Sequence, residues 1–456
     1  MKIRRELFSD IEKQKNAIHL VLIGTKPDII KQAPLIKTLR QRGHFTVVIH
    51  SGQHTQFNLS KGLEEEFQIN PDVNLAVSGS LYEQQSQIIQ RLGGFLKELK
   101  SRKKEIIPYI CADTTTAVGA GIASFANLLS TVHVEAGLRT LSPSDSIVLS
   151  LLEKHASLSW YFAELKKKSN WGKGSYEPYP EQFDTRAAGP SAGIHFAPTS
   201  LNAKHLLSEG YAKERVFVVG NTISDALSLV EKNVEKSNIF TLYPVLQRPF
   251  IRFCIHRREN IASKQRFMAI YEAMEALLEE GNTVLFISLP TTELALKTYR
   301  LKERTMALRR RYKHFVYSDV LPYYTDTIAL MKRCQLVVTD SGSIQEETNL
   351  LGIPGVVVRF NTDRPEAVFA GSNVLAPPIT KEIVLRIVKS VLEDKKLQQQ
   401  MKKTKKLYGR AVSQRIVQVV ERSVERNSSF NLFEFMEHER LGLSKRRFWR
   451  KETISW

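Results

Sequence analysis

Three cysteines among 456 residues are too few for a disulfide framework, and Cys111, Cys254 and Cys334 show no metal-ligand spacing. Each sits in or beside an apolar run, so all three are expected to be buried thiols in a chain that works in a reducing, cytoplasmic setting. Long hydrophobic runs are also missing. The longest are strand-sized, far below the ~20 residues that cross a bilayer, which argues against a transmembrane helix. The amino-terminal stretch MKIRRELFSDIEKQKNA lacks the apolar segment of a secretory signal. Compositional bias is absent as well: 42% hydrophobic and 25% charged residues exclude low-complexity, collagen-like and wholly disordered chains. Single cores stop growing near ~250–300 residues, so two or three domains are expected.

Acidic residues are in deficit, 47 against 66 Lys and Arg, for a net charge of +19. Such a balance suits nucleic acid, a membrane surface or an anionic small substrate. Residues 395–456 hold sixteen Lys/Arg and six Asp/Glu and supply +10 of the total. A solvated helix and tail accounts for charge of this kind. In the tail, Phe448, Trp449 and Trp456 interleave with Lys445, Arg446, Arg447, Arg450 and Lys451, the pattern of a weak contact with an anionic membrane.

Strand-like and helix-like stretches alternate. Apolar runs at 17–24, 44–52, 105–113, 130–137, 193–199 and 215–222 are separated by segments of helical period, and a second series runs from 250 to 360. Repeated βα units predict α/β architecture with parallel sheets, here two Rossmann-like doubly wound domains facing a cleft. Ligands in such sheets bind at the carboxyl ends of strands. The expected division is an amino-terminal domain over 1–220, a second domain over 221–407, a helix at 408–426 packing back on the first domain, and the basic aromatic tail at 427–456. Residues 143–178 break the alternation and read as an insertion in the first domain. Their apolar stretch is too large to leave in water, so it is expected on the amino-terminal domain, on a partner subunit, or over the cleft as a lid.

Polar residues gather where strands end. GTKPDIIK (24–31) sets a glycine turn, Lys26 and Lys31 at a helix amino terminus, an anion site in outline. Asp113 and Glu135 end two strands, and Glu181 follows Pro180; acids facing one cleft are what proton transfer needs. His256, Arg257 and Arg258 end another strand, and adjacent arginines suit a diphosphate. Ser341, Gly342 and Ser343 form a small-residue turn whose backbone N–H groups suit phosphate oxygens, with Glu347 one turn on and Arg364 beyond the next strand.

The motifs GTKPDIIKQAP, SGQHTQ, ADTTT, HVEAGLRT, PEQFDTR, HFAPT, VGNTISDAL, HRREN, TDSGSIQEE and TDRPEA stand in the order and spacing of the non-hydrolysing UDP-N-acetylglucosamine 2-epimerases, and the chain resembles that family from about residue 19 to residue 425. The resemblance implies a glycosyltransferase-B-like fold and interconversion of UDP-N-acetylglucosamine and UDP-N-acetylmannosamine through elimination of UDP to a 2-acetamidoglucal and its re-addition. It implies a UDP-sugar substrate, no cofactor, no metal and no nucleic acid, with a homodimer as the expected assembly. Carried over residue by residue, it makes Asp113, Glu135, Glu181 and His256 the catalytic set. Lys26, Arg257, Ser341, Gly342, Ser343, Glu347 and Arg364 become UDP ligands. Gln53, Gln56 and Arg91 match part of a second, activating UDP-sugar site.

Departures stand beside the likeness. Lys26 replaces an arginine, Ala112 a glycine, and SLPTTE (288–293) lacks the family's histidine, which predicts weakened or absent activation by substrate. Gln182, Asp184 and Thr185 vary the P-E-E-x-N-R motif, and Thr327 stands where an aromatic packs on uracil. A glycosyltransferase of the same fold and an epimerase of a modified UDP-N-acetylhexosamine are the alternatives.

Overall fold

The computed structural model describes residues 1–153 and 157–425. The basic aromatic tail anticipated at 427–456 lies outside the described residues. In chain order the strands are β1 Lys2–Ile3, β2 Ile18–Ile23, β3 Thr46–His50, β4 Val73–Asn74, β5 Ile106–Cys111, β6 Thr131–Val134, β7 Ser142–Pro143, β8 Trp171–Gly172, β9 Ala192–Ala197 and β10 Val216–Val218. They continue as β11 Ile251–Cys254, β12 Val284–Ser288, β13 Phe315–Asp319, β14 Leu336–Thr339, β15 Gly355–Val357 and β16 Asn373–Leu375. The first sheet has the order β1-β4-β3-β2-β5-β6-β9-β10 and the second β13-β12-β11-β14-β15-β16, while β7 and β8 form a small ribbon. Pairing within both large sheets is parallel except β1 with β4. The central strands are buried along their whole length, as expected for sheets covered by helices on both faces. The two-residue β1 is too short for any period to announce it.

Both sheets reverse strand order at one point, between β2 and β5 and between β11 and β14. Such switch points open a crevice at the strands' carboxyl ends. Residues 24–28 and 112–115 leave the first crevice, and residues 255–260 and 340–343 leave the second. After the second sheet, helix Val412–Glu425 returns to the first. Val412, Ile416, Val417 and Val420 are fully buried there, and Glu421 accepts from Arg42 at 2.9 and 2.7 Å and pairs with His44 at 2.7 Å. The three cysteines are buried and free.

The insertion sits elsewhere than expected. Its short helices Asp145–Leu149 and Leu158–Lys166 pack on the second domain, not on the first or across the cleft. Ile147, Leu151, Tyr161, Phe162 and Leu165 join the apolar cluster of the second sheet. The Tyr161 hydroxyl donates to Leu375 O at 3.2 Å, Arg386 donates to Leu151 O at 2.9 Å, and Trp171 meets Phe369 edge-on at 5.3 Å. Trp171 is held by Phe369, and Tyr176 is 88% exposed. The physical reason is the aromatic face of helix Leu158–Lys166, which finds its complement at β16 and helix Pro365–Ala370.

Candidate active site

A cavity of about 410 Å³ lies between the two sheets' carboxyl ends, a size suited to a nucleotide-sized ligand. Asp113, Glu181, His256, Arg257, Lys26, Ser341, Ser343, Glu347, Arg364 and Gln53 line it. Glu135, Gly342, Gln56 and Arg91 are not on its wall.

The cationic end is built around Asp340, which ends the fourth strand of its domain. Its carboxylate accepts from the backbone N–H groups of His256 (3.0 Å) and Arg257 (3.0 Å) and from Asn260 Nδ2 (3.0 Å). One buried acid thus ties the loop after β11 to the loop after β14. Thr291 and Thr292, from the SLPTTE segment, donate to His256 O at 3.1 Å and Ile255 O at 2.5 Å and support the same loop. Burial works against a charged imidazole, but Asp340, 3.3 Å from Nδ1, outweighs it and raises His256 to about 9. His256 is therefore a cation at neutral pH. Helix Gly342–Leu351 begins beside it. A Cβ on Gly342 would meet Asp363 Oδ2 at 3.0 Å and Arg364 Cζ at 3.2 Å, so glycine lets the turn approach these groups without displacing them. Glu347 accepts from the Tyr324 hydroxyl at 2.9 Å, and burial pushes its carboxyl up.

The acid end lies on the first domain. Ala112 takes a left-handed φ of +55°, a strained state for a residue with a Cβ, and turns Asp113 into the cavity. Burial raises the Asp113 carboxyl to about 6, with Arg364 pulling the other way. Its Oδ2 is buried without a hydrogen-bond partner among the described residues. Glu181, first residue of helix Glu181–Ala188, pairs with the Arg257 guanidinium across the cleft. Asp184, one turn on, also lines the cavity. It accepts from Thr115 Oγ1 at 3.2 Å, and burial followed by the Asp113 charge pushes it up to about 7. Three carboxyls therefore share this end.

Glu135 departs from its expected place among the acids that face the ligand. It lies behind the wall in an ionic knot between the domains. Lys31 Nζ donates to both its oxygens at 2.7 and 2.6 Å, and Arg364 Nη2 and Asn221 Nδ2 to Oε1 at 3.0 Å each. Arg364 Nε also reaches Glu346 Oε1 at 2.6 Å, and Nη1 reaches Asp363 Oδ2 at 2.6 Å. Against the cost of burial, Lys31 and Arg364 hold Glu135 below the usual carboxylate range, while burial pushes Glu346 up to about 8. The strand end was legible in the sequence; the neighbours that occupy this carboxylate were not.

The remaining expected ligands are spread out. Lys26 Nζ donates to Leu321 O at 2.5 Å and Asn58 O at 3.3 Å, one carbonyl from each domain, and burial lowers it to about 8. Gln53 accepts from Thr116 at 3.0 Å on the cavity wall. Arg91 instead ties down the chain at Leu75 O and Ala76 O, both at 2.7 Å, and Gln56 is exposed. Asp340 and Glu346 are neighbours that sequence reasoning did not place; Lys31, read as part of an anion site, pairs with Glu135 instead, and Asp184, read only as a motif departure, lines the cavity. Asp340 had a visible signal, an acid between a strand end and the Ser341 turn. Among the described residues no cluster of three or more His, Cys, Asp or Glu is arranged to hold a metal ion.

A sequence model of the UDP-N-acetylglucosamine 2-epimerase family matches residues 37–150 and 172–421. The chain belongs to that family. The unmatched stretch, 151–171, falls within the segment docked on the second domain. The chain is similar to the UDP-N-acetylglucosamine 2-epimerase of Methanocaldococcus jannaschii, 29% identical over 383 residues that cover 82% of this chain and 92% of the relative. It is similar to that of Salmonella typhimurium, 30% identical over 401 residues covering 86% and 94%. Among solved epimerases, the M. jannaschii protein in complex with UDP-GlcNAc and UDP superposes with a TM-score of 0.73 at 28% identity, covering 89% of this chain and 99% of the other. An S. aureus protein solved with UDP gives 0.72 at 28% identity, covering 91% and 97%. The fold is thus the glycosyltransferase-B-like one of these epimerases, with the candidate site in its interdomain cleft.

Proposed function

We propose that this chain interconverts UDP-N-acetylglucosamine and UDP-N-acetylmannosamine. The observation that carries the reading is one interdomain cavity, in a member of this family, that has a cationic loop and a helix amino terminus at one end and carboxyls of raised proton affinity at the other. In this reading Arg257, His256 and the Ser341–Ser343 turn hold the diphosphate, and Glu347 holds the ribose. Asp113 and Glu181 stand beside the sugar ring. One carboxylate takes the C2 proton as the C1–O bond breaks, and the electron pair leaves with UDP. Return of UDP to C1, with a proton delivered to C2 from the opposite face, gives the epimer. Asp113 suits this task because a group near 6 exchanges its proton at neutral pH. Glu135 acts as a positioning residue: held ionised by Lys31, it fixes the guanidinium of Arg364.

The test is incubation with UDP-N-acetylglucosamine in heavy water, followed by proton NMR. The expected result is appearance of the epimer with loss of the C2 proton signal. No epimer and no exchange would refute the proposal, and transfer only when an acceptor is supplied would favour a glycosyltransferase. A homodimer and a weak contact of the 427–456 tail with anionic vesicles belong to the same reading, the first supported by the resemblance and the second by composition. Sedimentation and vesicle flotation test them.

A further inference from the structure

Arg252 stands in the middle of β11, the central strand of the second sheet, opposite Leu285 on one side and Val337 on the other. Those neighbours are fully buried and apolar. Arg252 is 6% exposed, yet it lines the cavity. Its Nη1 is fully buried, and the guanidinium makes no hydrogen bond among the described residues. A buried cation without partners costs several kcal/mol, so a sheet position otherwise filled by Leu or Val would not carry one for the fold's sake.

Its place along the cavity narrows what it serves. His256 and Arg257 leave the carboxyl end of the same strand, and Arg252 lies four residues before His256. The strand carries Arg252 away from that loop and toward Glu347, the nucleoside end in the nucleotide reading. Glu347 is near enough that the Arg252 charge favours its ionised form, but that carboxylate already accepts from Tyr324. Ile287, Val320 and Ile344 give the same cavity apolar wall, and Thr327 also lines it. Thr327 offers no ring for a base to stack on. A flat base against these side chains meets the N–H groups of Arg252 as donors.

Resting on the nucleotide reading above, we propose that Arg252 is a base-recognition residue, its guanidinium donating to a carbonyl oxygen of the uracil ring. A guanidinium has donors only. It therefore selects a base edge that presents acceptors.

The test uses the full chain with Arg252→Leu and calorimetric titration of UDP and of inorganic pyrophosphate. Leucine matches the apolar neighbours, so the variant is expected to melt at or above the wild-type temperature without ligand. UDP affinity should fall about 10- to 100-fold, the scale of a lost charge-assisted hydrogen bond, while pyrophosphate affinity stays unchanged. Unchanged UDP affinity, or an equal loss for pyrophosphate, would overturn the assignment. A leucine variant that folds but melts well below wild type would also overturn it, by placing the guanidinium in the fold. Should the leucine variant not fold, Arg252→Gln, which keeps a neutral donor, decides. An intermediate loss for UDP alone supports the proposal, and no loss rejects it. Wild-type protein that binds neither UDP nor UDP-N-acetylglucosamine would reject the proposed function itself, an outcome distinct from a silent Arg252.

Discussion

Replacing Asp184 with asparagine should stabilise the protein at pH 8 and leave it unchanged near pH 4. The carboxyl is 3% exposed, and burial raises it from the ordinary 3.8 to about 7. Between those two values the folded state binds a proton that the unfolded state releases. Stability therefore falls as pH rises through the window from about 4 to about 7, and the penalty stays constant above it. A shift of roughly three units at about 1.4 kcal/mol each sets a ceiling near 4 kcal/mol. Charges shared with Asp113 make the recoverable part smaller, about 1–3 kcal/mol. Asparagine keeps an acceptor for Thr115 Oγ1 and needs no proton. The assay is urea unfolding of the wild type and Asp184→Asn at half-unit steps from pH 4 to pH 8. The two curves should coincide at the acid end, separate progressively between about pH 4 and pH 7 and run parallel above that, the variant being the more stable. Curves parallel over the whole range, or a variant less stable at pH 8, would refute the argument that a buried acid is held against its charge here.

Asp113→Asn and Glu181→Gln should each cut turnover by at least ~100-fold, the usual scale for losing a positioned acid or base, with UDP affinity little changed; near-normal turnover in both would remove them from the chemistry. Ser341→Ala or Arg257→Ala should weaken UDP binding by about 1–3 kcal/mol in calorimetry, and full affinity in both would move the diphosphate elsewhere. Phe162→Ala, 5% exposed against the second domain, should lower stability by about 3–5 kcal/mol, because it opens a cavity in that core. A variant as stable as wild type would mean that the inserted helix contributes nothing to the fold.

The order of elements and the collinear strand-end motifs were legible in the sequence alone. Strand and helix periods are local, and a parallel sheet buried on both faces leaves near-continuous apolar runs such as IHLVLI at β2. Strand ends in such sheets converge, so Asp113, His256, Arg257 and the Ser341 turn were bound to meet wherever the two halves faced each other. Family membership followed from the same motifs, since their order and spacing need no coordinates. What the period of a segment never states is which partner its face will meet. The apolar face of 158–166 was evident, but only packing decided that it docks on β16 and helix Pro365–Ala370 and not over the cleft. Glu135 read as one of two strand-end acids, and tertiary structure gave it Lys31 and Arg364 as partners. Arg252 read as one residue of a strand, and the fold put its guanidinium on the cavity wall with Nη1 buried and without a hydrogen-bond partner among the described residues. Charges act over distances set by the fold and in a dielectric set by burial, so the state of a carboxylate or a guanidinium is decided by neighbours that lie far away along the chain.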